Sequence, residues 1–467
     1  MNFSATAFWT FENSDTQYHG DLYLNKKEGG VIVYIRVPNE GGPMSYFNLP
    51  LEIPLINGTT INGAKICLLN CSRISTQSRI GLEEVYGYRA KYMLEDVNFE
   101  NKEKAVFSRV RMSLPGIIKW GNVSNYVKPV TGNREVLIGL NPLNEIEIYS
   151  SDEYTLSYDL TCSYPFRLME EEITLEQTPY LIVESKSLHS LDWFLDVIIK
   201  MKRLIEIAMG MELQFDKMIT ESPEIKLEFD NGHSHIKRIE VVHALAQPFN
   251  RNNKSDNGIG EKFLFTLNEL IERANFSKWQ ENLSILEPII ELHIDDLYNL
   301  ESSASRHFLN MAQALETYHS RFVCNGKLAN YKERVEKIIE RRPESFKQED
   351  RDFLLKGSHS IISLKSRIAD LLLADFRFRF YTSAWDFREF PEVVGDTRNY
   401  YTHYNPSKED KALKDDKLIN AYYILRNILE YYILKELGFD EDFIHERTRE
   451  RTKKIMINDS IKRTDEN

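Results

Sequence analysis

Hydrophobic residues along this chain follow two different periods. In the front part they come in short runs rich in β-branched and aromatic residues, such as Gly20-Asp21-Leu22-Tyr23-Leu24 and Gly30-Val31-Ile32-Val33-Tyr34-Ile35-Arg36-Val37. Such runs predict strands, with Gly29-Gly30 and Gly41-Gly42-Pro43 as breaks between them. The pairs Asn57-Gly58 and Asn62-Gly63 predict two further turns. Strands are also expected over 104–112, 134–138, 145–149, 155–163 and 225–242. Between them, Leu195, Val197, Ile198, Met201, Leu204, Ile205 and Ala208 make one amphipathic helix over 188–209, which Gly210 is placed to end.

From about Trp279 the period changes to three and four residues, predicting helices over 282–300, 303–322, 331–341, 360–373 and 417–437, the last closed by Gly438. The expected fold is therefore α+β and multidomain. A β-rich sandwich or barrel-like region with a packed helix spans 1–280, and a helical bundle spans 281–467. A length of 467 residues agrees with two or three cores.

Charge and cysteine content narrow the function classes. A net charge of −12 argues against broad coating of nucleic acid but permits a local basic groove. The basic run Arg449, Arg451, Lys453, Lys454 and Lys462 reads as a solvated tail. The N-terminus lacks the basic opening of a signal peptide and no apolar run reaches membrane-span length, so a cytoplasmic protein is expected.

The four cysteines do not form a disulfide framework. Cys67 and Cys71 are expected to point to one side of a strand as buried free thiols, because no second ligand pair follows them. His233 and His235 could share a strand face and hold zinc, which would make a metal hydrolase. Without a nearby cysteine they read instead as exposed turn histidines. The polar, glycine-containing stretch 250–260 reads as a loop, since it lacks the lysine-serine ending of a phosphate-binding P-loop.

One stretch carries chemistry: Arg398-Asn399-Tyr400-Tyr401-Thr402-His403, running into Tyr404, Asn405 and Pro406. Pro391 suits the first turn of its helix and Asn405-Pro406 must stop it, so His403 falls at the helix end. Internal RNA cleavage needs a base for the 2′-hydroxyl proton, charge stabilisation at phosphorus and an acid for the leaving 5′-oxygen. Histidine titrates near neutrality, arginine offers a charged fork that fits phosphate, and the tyrosines could stack bases. Five positions on a helix rotate a side chain by about 140°, so a single copy does not gather Arg398 and His403 on one face. Alone, this spacing also fits a capped helix end with an exposed histidine.

This segment is similar to the arginine-x4-histidine motif of HEPN ribonucleases, including the polar residue after the arginine. Glu316, in Asn310-Met311-Ala312-Gln313-Ala314-Leu315-Glu316, looks like the acidic position of an earlier HEPN helix. The segment from Ile56 to Cys71 resembles a strand-turn-strand of the ApeA N-terminal domain, and together these resemblances point to the ApeA-type family of bacterial anti-phage defence proteins.

The resemblance implies a metal-independent endoribonuclease without a cofactor. Its HEPN units would pair as a homodimer, or in a higher assembly, so that two copies of Arg398 and His403 line one cleft. Arg398 would stabilise the scissile phosphate and His403 would be the acid–base group. Asn399 would position substrate or the histidine, Asp396 would orient Arg398 or stand as a helix-surface aspartate, and Tyr404 would support substrate binding. RNA cleavage would shut down the infected cell, with the front domain responding to a phage-derived trigger. Other HEPN toxins suggest transfer RNA as the target, although no residue here specifies it. The competing implication is a non-catalytic HEPN bundle that serves a ligand-sensing β domain as a dimerisation or nucleotide-binding module.

Overall fold

The structure, a computed structural model, describes residues 3–12, 14, 16–25, 30–38, 49–79, 83–127, 138–163, 171–228, 234–243, 263–325, 327–341, 347–356, 361–374, 376–377 and 386–451. The chain divides into two compact units. Met1–Ile205 and Leu213–Ile259 form the first, and Glu206–Glu212 and Gly260–Asn467 form the second.

The first unit starts with six strands: β1 (Phe3–Phe11), β2 (Gln17–Asn25), β3 (Gly30–Pro38), β4 (Glu52–Thr60), β5 (Lys65–Arg79) and β6 (Glu83–Glu95). They run in the order β6-β3-β2-β1-β4-β5, and β5 pairs back onto β6, closing an antiparallel barrel. Closure removes the free sheet edges that would otherwise invite pairing with other chains. Strand periodicity fills the interior: Val31, Val33, Ile35 and Val37 of β3 all point into a core around Trp9.

The long strand β6 then serves two sheets. Glu83 to Ala90 pair with β3, and Tyr92 to Leu94 pair with a later strand. That second sheet is built from β7 (Phe107–Ser113), β10 (Ile146–Ser150), β11 (Tyr154–Cys162), β12 (Gln177–His189), β13 (Met218–Glu228) and β14 (Ser234–His243), in the order β10-β11-β12-β7-β13-β14-β6. A 3₁₀ turn (Lys102–Lys104), a short helix α1 (Ile118–Gly121), the two-stranded pair β8 (Tyr126–Val127) and β9 (Gly139–Leu140), and the helix α2 (Leu191–Met209), whose residues from Glu206 on are counted in the second unit, complete the unit's described elements. α2 ends at Gly210, whose φ of 72° lies in the left-handed region that glycine adopts freely.

Three strand expectations change. Asn62-Gly63 is a turn, with Gly63 at φ 83°, but Asn57-Gly58 lies inside β4. Gly58 is needed there for close approach, since a Cβ at this position would overlap the Trp9 ring. The expected strand over 225–242 is instead the hairpin β13–β14. Cys67 and Cys71 do not share a side either: Cys71 joins Ile66 and Leu68 in the Trp9 core and Cys67 does not, because Asn70 between them takes φ 55° and interrupts the alternation. Both thiols are free and buried. Burial pushes Cys67 up to about 12, against a backbone hydrogen bond at Phe99, and raises Cys71 well above its ordinary value. Residues 134–137, most of an expected strand, lie outside the described residues, as does His233.

The second unit is helical: α3 (Leu267–Arg273), α4 (Phe276–Tyr298), α5 (Ala304–Tyr318), α6 (Tyr331–Glu340), α7 (Gln348–Leu354), α8 (Leu364–Leu371), α9 (Phe390–His403) and α10 (Asp415–Glu436), with a further helix over 441–451. α5 continues into a π-helical turn, His319–Val323. α10 is buried nearly all round, from Leu418 to Glu436, and α5 packs against α4, α8, α9 and α10. α3, α7 and the helix over 441–451 fall outside the periodic segments foreseen from the sequence. The first two have only seven residues each, too short for a repeating apolar face to stand out. No helix among the described residues is long and apolar enough to cross a membrane.

Candidate active site

α9 begins at Phe390 with Pro391 in its first turn, where a missing backbone N–H costs nothing. It stays α-helical to His403, two residues before Asn405-Pro406. Tyr404 closes it in the left-handed conformation, at φ 47°, with its N–H donating to the Tyr400 carbonyl at 2.5 Å. Two anchors, buried Thr397 and half-buried Tyr401, hold the helix. The Thr397 hydroxyl accepts from the Leu413 N–H at 3.1 Å, and the Tyr401 hydroxyl donates to the Leu413 carbonyl at 2.9 Å.

Because the helix remains regular, Arg398 and His403 leave it in different directions. Arg398 lines an open cleft of about 740 Å³ together with Gln313, Glu316, Ser320, Arg367 and Thr402. Its Nη2 donates to Glu316 Oε2 at 3.3 Å and its Nη1 to Asn399 Oδ1 at 3.4 Å. Glu316, read from the sequence as the acidic position of an earlier HEPN helix, meets Arg398 across 82 residues of chain. His403 is exposed, does not line this cleft, and has no hydrogen-bond or ion-pair partner among the described residues.

The supporting residues divide. Asn399 is exposed beside Arg398. Asp396 does not orient Arg398; its Oδ1 accepts from Lys408 Nζ at 2.7 Å, which ties α9 to the 3₁₀ segment Pro406–Lys411. Tyr404 is 66% exposed at the helix end, with Tyr400 and Tyr401 edge-on to it at 5.7 and 6.4 Å. An exposed ring beside an exposed imidazole offers a base a stacking surface.

One charged cleft residue went unforeseen. Arg367 lies on α8 at a position the helical period assigns to the core, alongside buried Leu364, Ile368 and Leu371. A cation in an apolar register was the available signal. No groups of three or more His, Cys, Asp or Glu able to hold a metal ion occur among the described residues. His235 is exposed on β14.

A closed β-barrel with an attached sheet, followed by a helical unit whose arginine faces an acidic residue in an open cleft, defines the class: a β-rich front joined to an α-helical bundle that carries a charged cleft. Comparison with protein-family models gives the particular family. Residues 4–279 match ApeA N-terminal domain 1 and residues 309–443 match the Apea-like HEPN domain. The chain belongs to the ApeA family. This is the architecture of ApeA-type defence proteins, and its helical unit belongs to a nuclease family. No curated protein and no solved structure matches the chain.

Proposed function

We propose that this protein is an endoribonuclease of anti-phage defence in which Arg398 and His403, from paired helical units, cut RNA under the control of the β-rich unit. The observation that carries this reading is the pair's placement on one regular helix. Arg398 opens into a cleft of about 740 Å³, whereas His403 stands exposed and without a hydrogen-bond or ion-pair partner among the described residues, about 140° away. A second copy set against the first would supply the missing half.

In the reaction, His403 takes the 2′-hydroxyl proton and the 2′-oxygen attacks phosphorus. Arg398 holds the charge that develops on the non-bridging oxygens, and a protonated imidazole gives the 5′-oxygen its proton as it leaves. The product carries a 2′,3′-cyclic phosphate and a 5′-hydroxyl. Asn399 positions the phosphate and Tyr404 stacks an adjacent base. This chemistry needs no metal. Transfer RNA, the cytoplasm and a homodimer complete the proposal.

The test is cleavage of RNA by the full chain in excess chelator, with end-mapping of the products. Arg398→Ala and His403→Ala should each lower the rate by a factor of about 10² to 10⁴ without changing the melting temperature. Co-expressing the two variant chains should restore part of the activity in mixed dimers. Full cleavage by both variants would overturn the assignment. Absence of cleavage from the wild type, with defence unaffected by His403→Ala, would favour a non-catalytic bundle.

A further inference from the structure

Arg367 is a charged side chain only 5% exposed, yet it lines the same cleft as Arg398. Three of its bonds go to neutral oxygens. Nε donates to the Ile362 carbonyl at 3.0 Å, and Nη1 donates to the Glu316 carbonyl at 3.0 Å and to the Ser320 hydroxyl. The carboxylate nearest to it among the described residues is Glu316, with Oε1 3.9 Å from Nη1. Nη2 has no protein acceptor among the described residues.

Glu316 thus faces both guanidinium groups, Arg398 through Oε2 at 3.3 Å and Arg367 through Oε1 at 3.9 Å. Both distances exceed the 2.7–2.9 Å usual for a charge-assisted bond, so neither arginine is fully engaged. With two cations against one carboxylate, the charged groups lining the cleft sum to +1. A buried cation without a close counter-ion favours an anion that can reach it. The non-bridging oxygens of a phosphodiester present the same two-oxygen edge as a carboxylate, and guanidinium forks fit that edge.

We propose that Arg367 and Arg398 together form a phosphate-binding site, in which Glu316 occupies the free cleft as an internal substitute for an RNA backbone phosphate. Arg367 is then a substrate-binding residue held rigid by the Ile362, Glu316 and Ser320 oxygens. Glu316 is the competitor that phosphate displaces. This rests on the nuclease reading only in taking the anion to be RNA.

The experiment measures binding of a 2′-O-methyl oligoribonucleotide, which cannot be cut by 2′-hydroxyl attack, to the full chain by fluorescence anisotropy over a range of salt. Arg367→Met should weaken binding about tenfold and reduce the slope of log K against log salt by about 0.7, the loss of one phosphate contact on a single strand. Glu316→Gln should tighten binding about fivefold. A folded Arg367→Met with unchanged affinity and slope would overturn the proposal, as would absence of binding by the wild type. If Arg367→Met does not fold, Glu316→Gln decides: tighter binding supports the site, and unchanged or weaker binding overturns it. Cleavage is not read in this assay. A chain that shows these binding changes but never cuts RNA defeats the nuclease reading alone, and one that cuts RNA without them defeats the phosphate site alone.

Discussion

The barrel and the helical unit solve the problem of a polar chain in opposite ways. Around Trp9 the barrel interior is aliphatic and aromatic, and ion pairs such as Arg36–Asp21 lie on the partly exposed outer surface. The helical unit instead runs a chain of charged and hydrogen-bonded side chains through its middle. Glu430 Oε1 accepts from Arg426 Nε at 3.0 Å and lies 3.2 Å from Arg451 Nη2. Arg426 Nη1 donates to the Tyr422 hydroxyl at 3.2 Å, Tyr422 donates to Asp296 Oδ2 at 2.7 Å, and Asp296 Oδ1 meets His307 Nδ1 at 2.5 Å. This chain links α4, α5, α10 and the helix over 441–451. Apolar packing tolerates small sideways slips, whereas a buried ion network is satisfied in one register only. The helical unit carries the cleft, whose Arg398–Glu316 contact depends on the register of α5 against α9.

The most severe way to break this contrast is to remove one charge from the network. Glu430→Ala would leave Arg426 and Arg451 buried without their shared carboxylate, and should cost about 3–5 kcal/mol. Calorimetry should then show the helical transition shifted far down and the barrel transition in place. A Glu430→Ala chain that melts like the wild type would show that the network is incidental.

Acid should separate the two units more gradually. In the barrel-bearing unit, burial and then the Lys91 charge bring His243 down to about 4, against the opposing pull of Asp192. A histidine depressed in the folded state contributes stability that is whole above its unfolded value near 6.5 and is lost as pH falls towards 4. The loss is on the order of 3 kcal/mol at most. Burial opposes the charge of Glu430, but Arg451, Arg426 and His293 outweigh it and bring the carboxyl down to about 2. Its contribution is whole above the ordinary 4.5 and is lost only between there and about 2. Melting across pH 7 to 3 should therefore destabilise the β unit first. His243→Phe, which keeps a ring against Tyr92, should flatten that first loss and leave the second. Simultaneous loss in both units would remove the distinction.

How much of this was legible depended on whether the deciding contact was local. Arg398, His403, Pro391 and Asn405-Pro406 are neighbours in sequence, so their helix, its end and the angle between the two side chains followed from spacing. Glu316 came from resemblance, and its contact with Arg398 spans 82 residues. Arg367 carried a signal that was not used, a cation at a core position of α8 between Leu364 and Ile368. Lys408, which takes Asp396 away from Arg398, could not be anticipated, because the contact reaches back 12 residues across the helix end from the 3₁₀ turn that presents it. The closing of six strands into a barrel is likewise a long-range event, sealed by β5 pairing with β6 after β4 has returned to β1.

The two Asn-Gly pairs give the smallest and most exact test of local against long-range control. They look identical in sequence, five residues apart. Gly63 is required by its backbone, at φ 83°, with open space where a side chain would stand. Gly58 is required by a partner from another strand, since a Cβ there would meet the Trp9 ring. Gly63→Ala should therefore cost about 1 kcal/mol, the penalty for a left-handed residue with a Cβ. Gly58→Ala should cost about 1–3 kcal/mol by overpacking. Only the second should respond to its partner. Combined with Trp9→Leu, Gly58→Ala should lose most of its own effect, whereas Gly63→Ala should add to Trp9→Leu unchanged. Equal additivity at both positions in a double-mutant cycle would mean that Gly58, too, is held by its turn-like sequence and not by the ring across the sheet.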